Sequence, residues 1–421
     1  MAGVQGSKKV ISSQFLSSKT WERIGSFYFT DVLNSLLSWF NSTLDILENP
    51  ILNLAIQQLP SNYNFEVHKT VWRIKFLDAK RVALQMPEGL LMFSLRLANI
   101  IEEFTEAEVV IMGDVTYGAC CVDDLTAKAL RCDLLVHYGH SCLIPVDRMG
   151  DIKCLYIFVD IKIDSVHFLE TMRLNFSKTD RLCFVSTIQF VTTLHAAAKD
   201  LRTEGYQIII PQTKPLSPGE VLGCTAPSVP DVDALVYLGD GRFHLEAAMI
   251  ANPNLKAFRY DPYEKKFTVE TYDFDVMFGK RTAAIEEAKS AGTFGLILGT
   301  LGRQGSVNVL NNFKCRLKDK KFVQVLLSEI YPGKLALLSQ VEAWIQVACP
   351  RLSIDWGSQF HRPILSPWEA AVVFGQTAVK KGPDVITSLP MDFYSGEPGG
   401  PWAPNYKKEC CGKGCDKSKN V

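Results

Sequence analysis

Asp133-Leu-Leu-Val-His-Tyr-Gly139 is an acidic residue, a run of mostly apolar residues without alternation, and a glycine. Runs of this kind belong to strands covered on both faces, as in parallel sheets. Arg81-Val-Ala-Leu-Gln-Met86 and Glu108-Val-Val-Ile-Met-Gly113 precede it, and residues 89–104 and 123–130 between them read as helices. The order βαβαβ predicts an α/β sheet. The pattern then returns twice. Leu182-Cys-Phe-Val-Ser186, Gln207-Ile-Ile-Ile210 and Asp233-Ala-Leu-Val-Tyr-Leu-Gly239 form a second set. Gly295-Leu-Ile-Leu-Gly299, Phe322-Val-Gln-Val-Leu-Leu327 and Glu342-Ala-Trp-Ile-Gln-Val-Ala348 form a third. In each closing strand an acid leads and a small residue ends the run. The leaders Asp133, Asp233 and Glu342 lie about one domain apart, a period that points to triplication of an α/β unit and not to a short-repeat solenoid.

Working outward, the expected division is an N-terminal, partly helical extension over 1–70 and α/β domains over 71–180, 181–290 and 291–392. A disordered, cysteine-bearing tail over 393–421 completes it, because that end is rich in Gly, Pro and Lys. The 421 residues suffice for several buried cores. Lys+Arg and Asp+Glu both number 45, so there is no basic excess of the kind a general nucleic-acid binder carries. The most apolar early stretch, between Asp31 and Asp45, is interrupted by Asn34, Ser35, Ser38 and Asn41 and is too short to span a bilayer. Neither nucleic acid nor membrane is therefore expected as a partner. No secretory leader pattern opens the sequence, so the expected setting is cytosolic or nucleocytoplasmic.

In that setting the 12 cysteines are better read as metal ligands, reactive thiols or core residues than as disulfides. Cys120 and Cys224 each follow the second strand of their unit, whereas Cys349 directly follows the third unit's closing strand. All three belong at the carboxyl ends of parallel strands, the edge where open α/β sheets build sites. Three thiolates suit an iron–sulfur cluster with one iron left open, since a fourth cysteine normally closes the cage. Spacing alone is a weak signal, and Cys121 competes with Cys120. Cys132, Cys154 and Cys183 read as core residues, Cys142 as an outside candidate, and Cys315 as a helix residue. Cys410, Cys411 and Cys415 form a tail that either takes zinc or iron loosely or is simply solvated.

The runs ALQMPEGLL, MGDVTYGACCVDD, LLVHYGHSCLIPVD, FVSTIQF and CPRLSIDWG resemble the first-subunit branch of the 2-(3-amino-3-carboxypropyl)histidine synthase family of diphthamide biosynthesis. The resemblance extends over roughly residues 49–391. It implies three homologous α/β domains arranged around one shared [4Fe–4S] cluster, held by Cys120 in YGACC, Cys224 in LGCTAP and Cys349 in ACPRLS. It also implies an activity. The reduced cluster cleaves S-adenosylmethionine toward the methionine γ-carbon, releasing methylthioadenosine. The 3-amino-3-carboxypropyl radical then adds to the imidazole C2 of a histidine in translation elongation factor 2. The implied partners are a second synthase subunit in a heterodimer, a small CSL-type zinc-finger iron protein, and an NADH-dependent reductase as the electron source.

For S-adenosylmethionine the candidates are Gly302, Arg303 and Gln304, in the loop after a third-unit strand, with Gly239 and Asp240 at the end of the second unit's last strand. Glycines there permit close approach of a ligand. Arg351 either tunes the charge beside Cys349 or pairs at the surface. His137 and His140 are open between acid, base, substrate contact and plain structure, and no catalytic acid or base is assigned. Two rival readings remain: a non-catalytic subunit of the same complex, and a dehydratase resembling quinolinate synthase, which shares the three-domain, three-cysteine design.

Overall fold

The computed structural model describes residues 44–114, 117–145, 149–378 and 388–407. The chain divides into two compact units, 1–58 and 59–421. In the first, Pro50–Ile56 is a helix whose N-cap Asn49 side chain accepts from the Ile51 and Leu52 N–H groups, the satisfaction of orphan donors that a helix start requires. The rest of the expected extension, residues 1–43, lies outside the described residues, as do Cys410, Cys411 and Cys415.

The second unit carries fifteen strands among its described residues. They are β1 (Tyr63–Asn64), β2 (Arg81–Gln85), β3 (Glu108–Ile111), β4 (Leu134–Tyr138), β5 (Lys153–Ile157), β6 (Asp160–Ile161), β7 (Arg181–Ser186) and β8 (Gln207–Ile209). There follow β9 (Ala234–Leu238), β10 (Lys256–Asp261), β11 (Lys266–Glu270), β12 (Thr293–Gly299), β13 (Lys321–Leu327), β14 (Ala343–Val347) and β15 (Ile364–Leu365). Three sheets result, ordered β3-β2-β4-β5, β8-β7-β9-β10-β11 and β13-β12-β14-β15. In each, the second strand in chain order stands outside the first, and the third and fourth follow on the other side. Every pairing in these sheets is parallel except the β10–β11 hairpin at the edge of the middle one. The fold is therefore mixed α/β with three sheets of one shared strand order, and β1 pairs β6 antiparallel apart from them.

The central strands β4, β9 and β14 are buried at every position, which is why they read as uninterrupted apolar runs. The fourth strands β5, β10 and β15 escaped the sequence reading for a physical reason. The first two are half-buried with charged or polar members, and the third has only two residues.

The acidic leaders have one job in all three sheets. Asp133 Oδ2 accepts from the Lys80 and Arg81 N–H groups at 2.8 and 3.0 Å, and Asp233 Oδ2 accepts from Arg181 N–H at 2.8 Å. Glu342 Oε2 accepts from Gly292 and Thr293 N–H at 2.5 and 3.3 Å. Each closes the start of the neighbouring first strand, where backbone donors lack a ladder partner. These bonds hold the Asp233 and Glu342 carboxyls below their usual range. A depressed folded-state value stabilises above the unfolded value and stops doing so as pH falls through the folded one. Asp233→Asn and Glu342→Gln are therefore expected to lower the urea midpoint at pH 7, and that deficit should shrink as pH drops below about 4. Urea titrations across pH 2.5–7 check this.

The second and third sheets share one continuous core, in which Leu235, Tyr237 and Leu245 pack in the same cluster as Leu296, Ile345 and Val347. The described part of the expected disordered tail, residues 393–407, is instead packed. Leu389, Met391, Phe393, Tyr394 and Trp402 are buried. Thr225 bridges Asp392, and Ala226 N–H donates to Met391 O at 2.9 Å. Apolar anchors placed among the glycines and prolines hold this segment, which outweighs its flexible composition. No described helix is long and apolar enough to cross a membrane.

Candidate metal centre

Cys120 sits in a single 3₁₀ turn, Ala119–Cys121, between β3 and the helix Asp124–Ala129. The loop after β12 holds this turn from outside. Arg303 N–H donates to Cys120 O at 2.8 Å, and Gln304 Nε2 donates to Cys121 Sγ at 3.3 Å. The Arg303 guanidinium forks onto the buried Asp124 carboxylate at 2.7 and 2.5 Å. A bidentate pair of this kind fixes orientation as well as position. Gly302 has φ +52°, and a Cβ there would lie 2.5 Å from the Cys121 carbonyl carbon. Only glycine allows the loop to approach this closely.

Cys224 lies in a tight loop after β8, where Leu222 N–H donates to Thr225 O at 2.9 Å. The Thr225 hydroxyl points at Cys224 Sγ, 3.8 Å away, and accepts from Tyr394 N–H at 3.1 Å. Cys349 follows β14 as the N-cap of the helix Pro350–Trp356, and its side chain makes no capping hydrogen bond. The odd slot of Cys349 in the sequence is thus real. Two loops after second strands and one after a third strand supply the three thiols.

Cys120 senses both other thiols, and Cys224 senses Cys349. The hydrogen bond that Cys120 donates to Cys121, then burial, then the charges of Cys121, Cys224 and Cys349 hold Cys120 well above the usual thiol range. Burial and the neighbouring Cys349 push Cys224 up to about 12. Burial raises Cys349 against the opposing N–H and guanidinium of Arg351. Cys121 is the exception. Hydrogen bonds from Cys120, Gln304 and the preceding turn lower it to about 7. Cys120 packs against the buried cluster that contains Cys224.

The Tyr394 ring shares a buried cluster with Cys120 and Cys224 and feels all three thiols. Its hydroxyl donates to Gln304 O at 3.2 Å. Tyr394 was not found from sequence, since nothing local marks a tail aromatic as the wall of a site. Among the described residues no three His, Cys, Asp or Glu side chains stand close enough to share a single metal ion. A cubane sets its cysteine sulfurs further apart than one ion does.

Arg351 is buried, not at the surface. Its guanidinium donates to Phe243 O at 2.7 Å and Gly223 O at 3.3 Å, pairs with Glu246 and Asp355, and stacks 4.4 Å from the Phe243 ring centroid. It ties the Cys349 helix to the Cys224 loop and places a positive charge beside both thiols.

Between the carboxyl ends of the first two sheets lies a cleft of about 380 Å³ lined by His140, Ser141, Gln189, Glu220, Asp240 and His244, among others. Within it Ser141 Oγ, Thr187 Oγ1 and Glu220 Oε1 are buried without a partner. Gly239 supports its rim by donating to Tyr260 O at 3.1 Å. The two sets of candidates for a bound small molecule thus separate. Asp240 opens onto this cleft, while Gly302, Arg303 and Gln304 press on the Cys120–Cys121 turn. The outer-shell role of Gly302 gives an expectation: Gly302→Ala should cost about 10–100-fold in iron affinity, read by iron retention against a chelator.

The diphthamide synthesis protein family model matches residues 86–383. The chain is 57% identical to the Bos taurus 2-(3-amino-3-carboxypropyl)histidine synthase subunit 1, over 87% of its own length and 83% of the relative's. It is 54% identical to the Schizosaccharomyces pombe protein of the same name, over 86% of this chain and 84% of that one. Among solved structures it resembles Dph2 from Pyrococcus horikoshii with a 4Fe–4S cluster. The TM-score is 0.64 at 26% identity, covering 78% of this chain and 97% of that one.

Proposed function

The chain belongs to the diphthamide synthesis protein family and is a transferase, and on that premise we propose that Cys120, Cys224 and Cys349 jointly hold one [4Fe–4S] cluster for the first step of diphthamide formation. The convergence of three thiols from three sheets, Cys224 buried and Cys120 and Cys349 half-buried, supports this reading. Thiols crowded together resist ionising jointly unless a cationic centre takes up their charge. The similar Pyrococcus structure is described with such a cluster. The chemistry the group supplies when bound is one electron to S-adenosylmethionine at the iron no cysteine occupies, yielding methylthioadenosine and a 3-amino-3-carboxypropyl radical for the target histidine of translation elongation factor 2.

The chain's own share is positioning and exclusion of water. Phe393 and Tyr394 close one side of the thiols, and Arg351 fixes the distance between two of the three loops. The cleft beside them offers Asp240 and the unpartnered Glu220, Ser141 and Thr187 oxygens to the amino acid end of S-adenosylmethionine or to the histidine. Gly302, Arg303 and Gln304 serve it indirectly, through the Cys120 turn. A catalytic chain of this kind works with a second synthase subunit as a heterodimer. A small CSL-type zinc-finger iron protein and an NADH-dependent reductase deliver electrons, in the cytoplasm or nucleus. The complete, convergent cysteine set favours the catalytic role over that of a supporting subunit. Anaerobic reconstitution followed by iron and sulfide analysis tests the assignment. About four of each per chain are expected, and a single iron without sulfide would refute it.

A further inference from the structure

A line of hydrogen bonds runs from the Cys121 carbonyl through Gln85 and His137 to His140 at the cleft. Gln85 Nε2 donates to Cys121 O at 3.0 Å, and Asp123 N–H donates to Gln85 Oε1 at 3.1 Å. A peptide N–H can only donate and a carbonyl can only accept, so the Gln85 amide has one orientation. Its Oε1 also stands 2.9 Å from His137 Nδ1, which must therefore carry the proton. His137 is fully buried, and burial lowers it to about 4, so the ring is neutral and Nε2 is bare. That nitrogen lies 3.2 Å from His140 Nδ1, which must then donate. The outer nitrogen of His140, a residue lining the cleft, is left as an unprotonated acceptor. Burial and the neighbouring His137 and His244 hold His140 well below the usual histidine range. A neutral imidazole in water prefers its proton on Nε2, so the chain imposes the rarer tautomer twice in succession.

We propose that His140 Nε2 is the proton acceptor that restores aromaticity to the target imidazole once its new carbon–carbon bond has formed. The proposal rests on the function given above. Addition of the aminocarboxypropyl radical to C2 makes the bond and leaves an imidazole-centred radical still bearing the C2 hydrogen. Regaining the aromatic ring requires loss of one electron and that proton. The electron would return to the iron–sulfur centre left oxidised when it gave one to S-adenosylmethionine, and the proton goes to His140 Nε2. Nothing else is consumed, because the electron spent on S-adenosylmethionine is returned. Gln85 and His137 act through His140 as positioning residues.

Two measurements on the full-length chain test this. Nitrogen NMR of ¹⁵N-histidine-labelled protein, assigned with His137→Gln and His140→Asn, should show both rings as Nδ1–H tautomers; an Nε2–H His140 would overturn the proposal without any assay. In the reconstituted complex, His140→Asn keeps an N–H near Nδ1 and removes only the outer base. It should retain iron and methylthioadenosine formation but lose about 10²–10⁴-fold in histidine modification. The variant should also show a larger isotope effect than the parent when the target histidine carries deuterium at C2. Unchanged transfer, or equal loss of methylthioadenosine and transfer at full iron content, overturns the role of His140. Absence of methylthioadenosine from the parent complex with an intact cluster sinks the underlying function instead.

Discussion

Cys349→Ala in the assembled complex is expected to abolish methylthioadenosine release and strip most of the iron and sulfide. Loss of an outer-shell partner costs about 10–100-fold in metal affinity, and loss of one of only three ligands should exceed that. Cys121→Ala provides the contrast. Its sulfur is held by Cys120 and Gln304, and it is not one of the three proposed ligands, so that variant should keep its iron. Product formation intact in Cys349→Ala would assign the chain a supporting role instead of a catalytic one.

Glu369→Ala should be among the most destabilising single changes in the protein. Arg281 and Glu369 form a fully buried bidentate pair at 2.5 and 2.8 Å. It joins the helix Phe274–Lys289 to the helix Pro367–Val373. Glu369 also closes a capping box by accepting from Ser366 N–H at 2.7 Å, and Arg281 donates to Ile364 O of β15 at 2.8 Å. Alanine removes the carboxylate and leaves the guanidinium buried without its counter-charge, a loss of about 3–5 kcal/mol. Chemical denaturation reads it directly. Replacing both partners, as Arg281→Met with Glu369→Leu, should recover much of the deficit, because no orphan charge remains. A loss under about 1 kcal/mol in Glu369→Ala would mean water reaches the pair.

What sequence made legible follows from where the signal is local. The strands β4, β9 and β14 are buried on both faces, and burial writes itself as apolar runs. Their acidic leaders were visible as a repeat, and the structure supplies the reason, a carboxylate closing the neighbouring strand in every sheet. The fourth strands β5, β10 and β15 carried no such record. The cysteines were weak singly because each ligand loop is local, while convergence arises from three sheet edges far apart in sequence. The placement of Phe393 and Tyr394 was illegible for a different reason: composition argued for disorder, and two aromatic anchors decided otherwise. The Gln85–His137–His140 line pairs residues up to 52 apart, and no spacing rule reports it.

The central claim is that three cysteines from three sheets hold a cluster that breaks S-adenosylmethionine on its methionine side. The direct measurement is anaerobic reconstitution of the chain with its partner subunit, then dithionite, S-adenosylmethionine and elongation factor 2, with nucleoside products separated by chromatography. Methylthioadenosine, formed in step with histidine modification, is the predicted result. An intact cluster that yields 5′-deoxyadenosine, or no nucleoside at all, would contradict it.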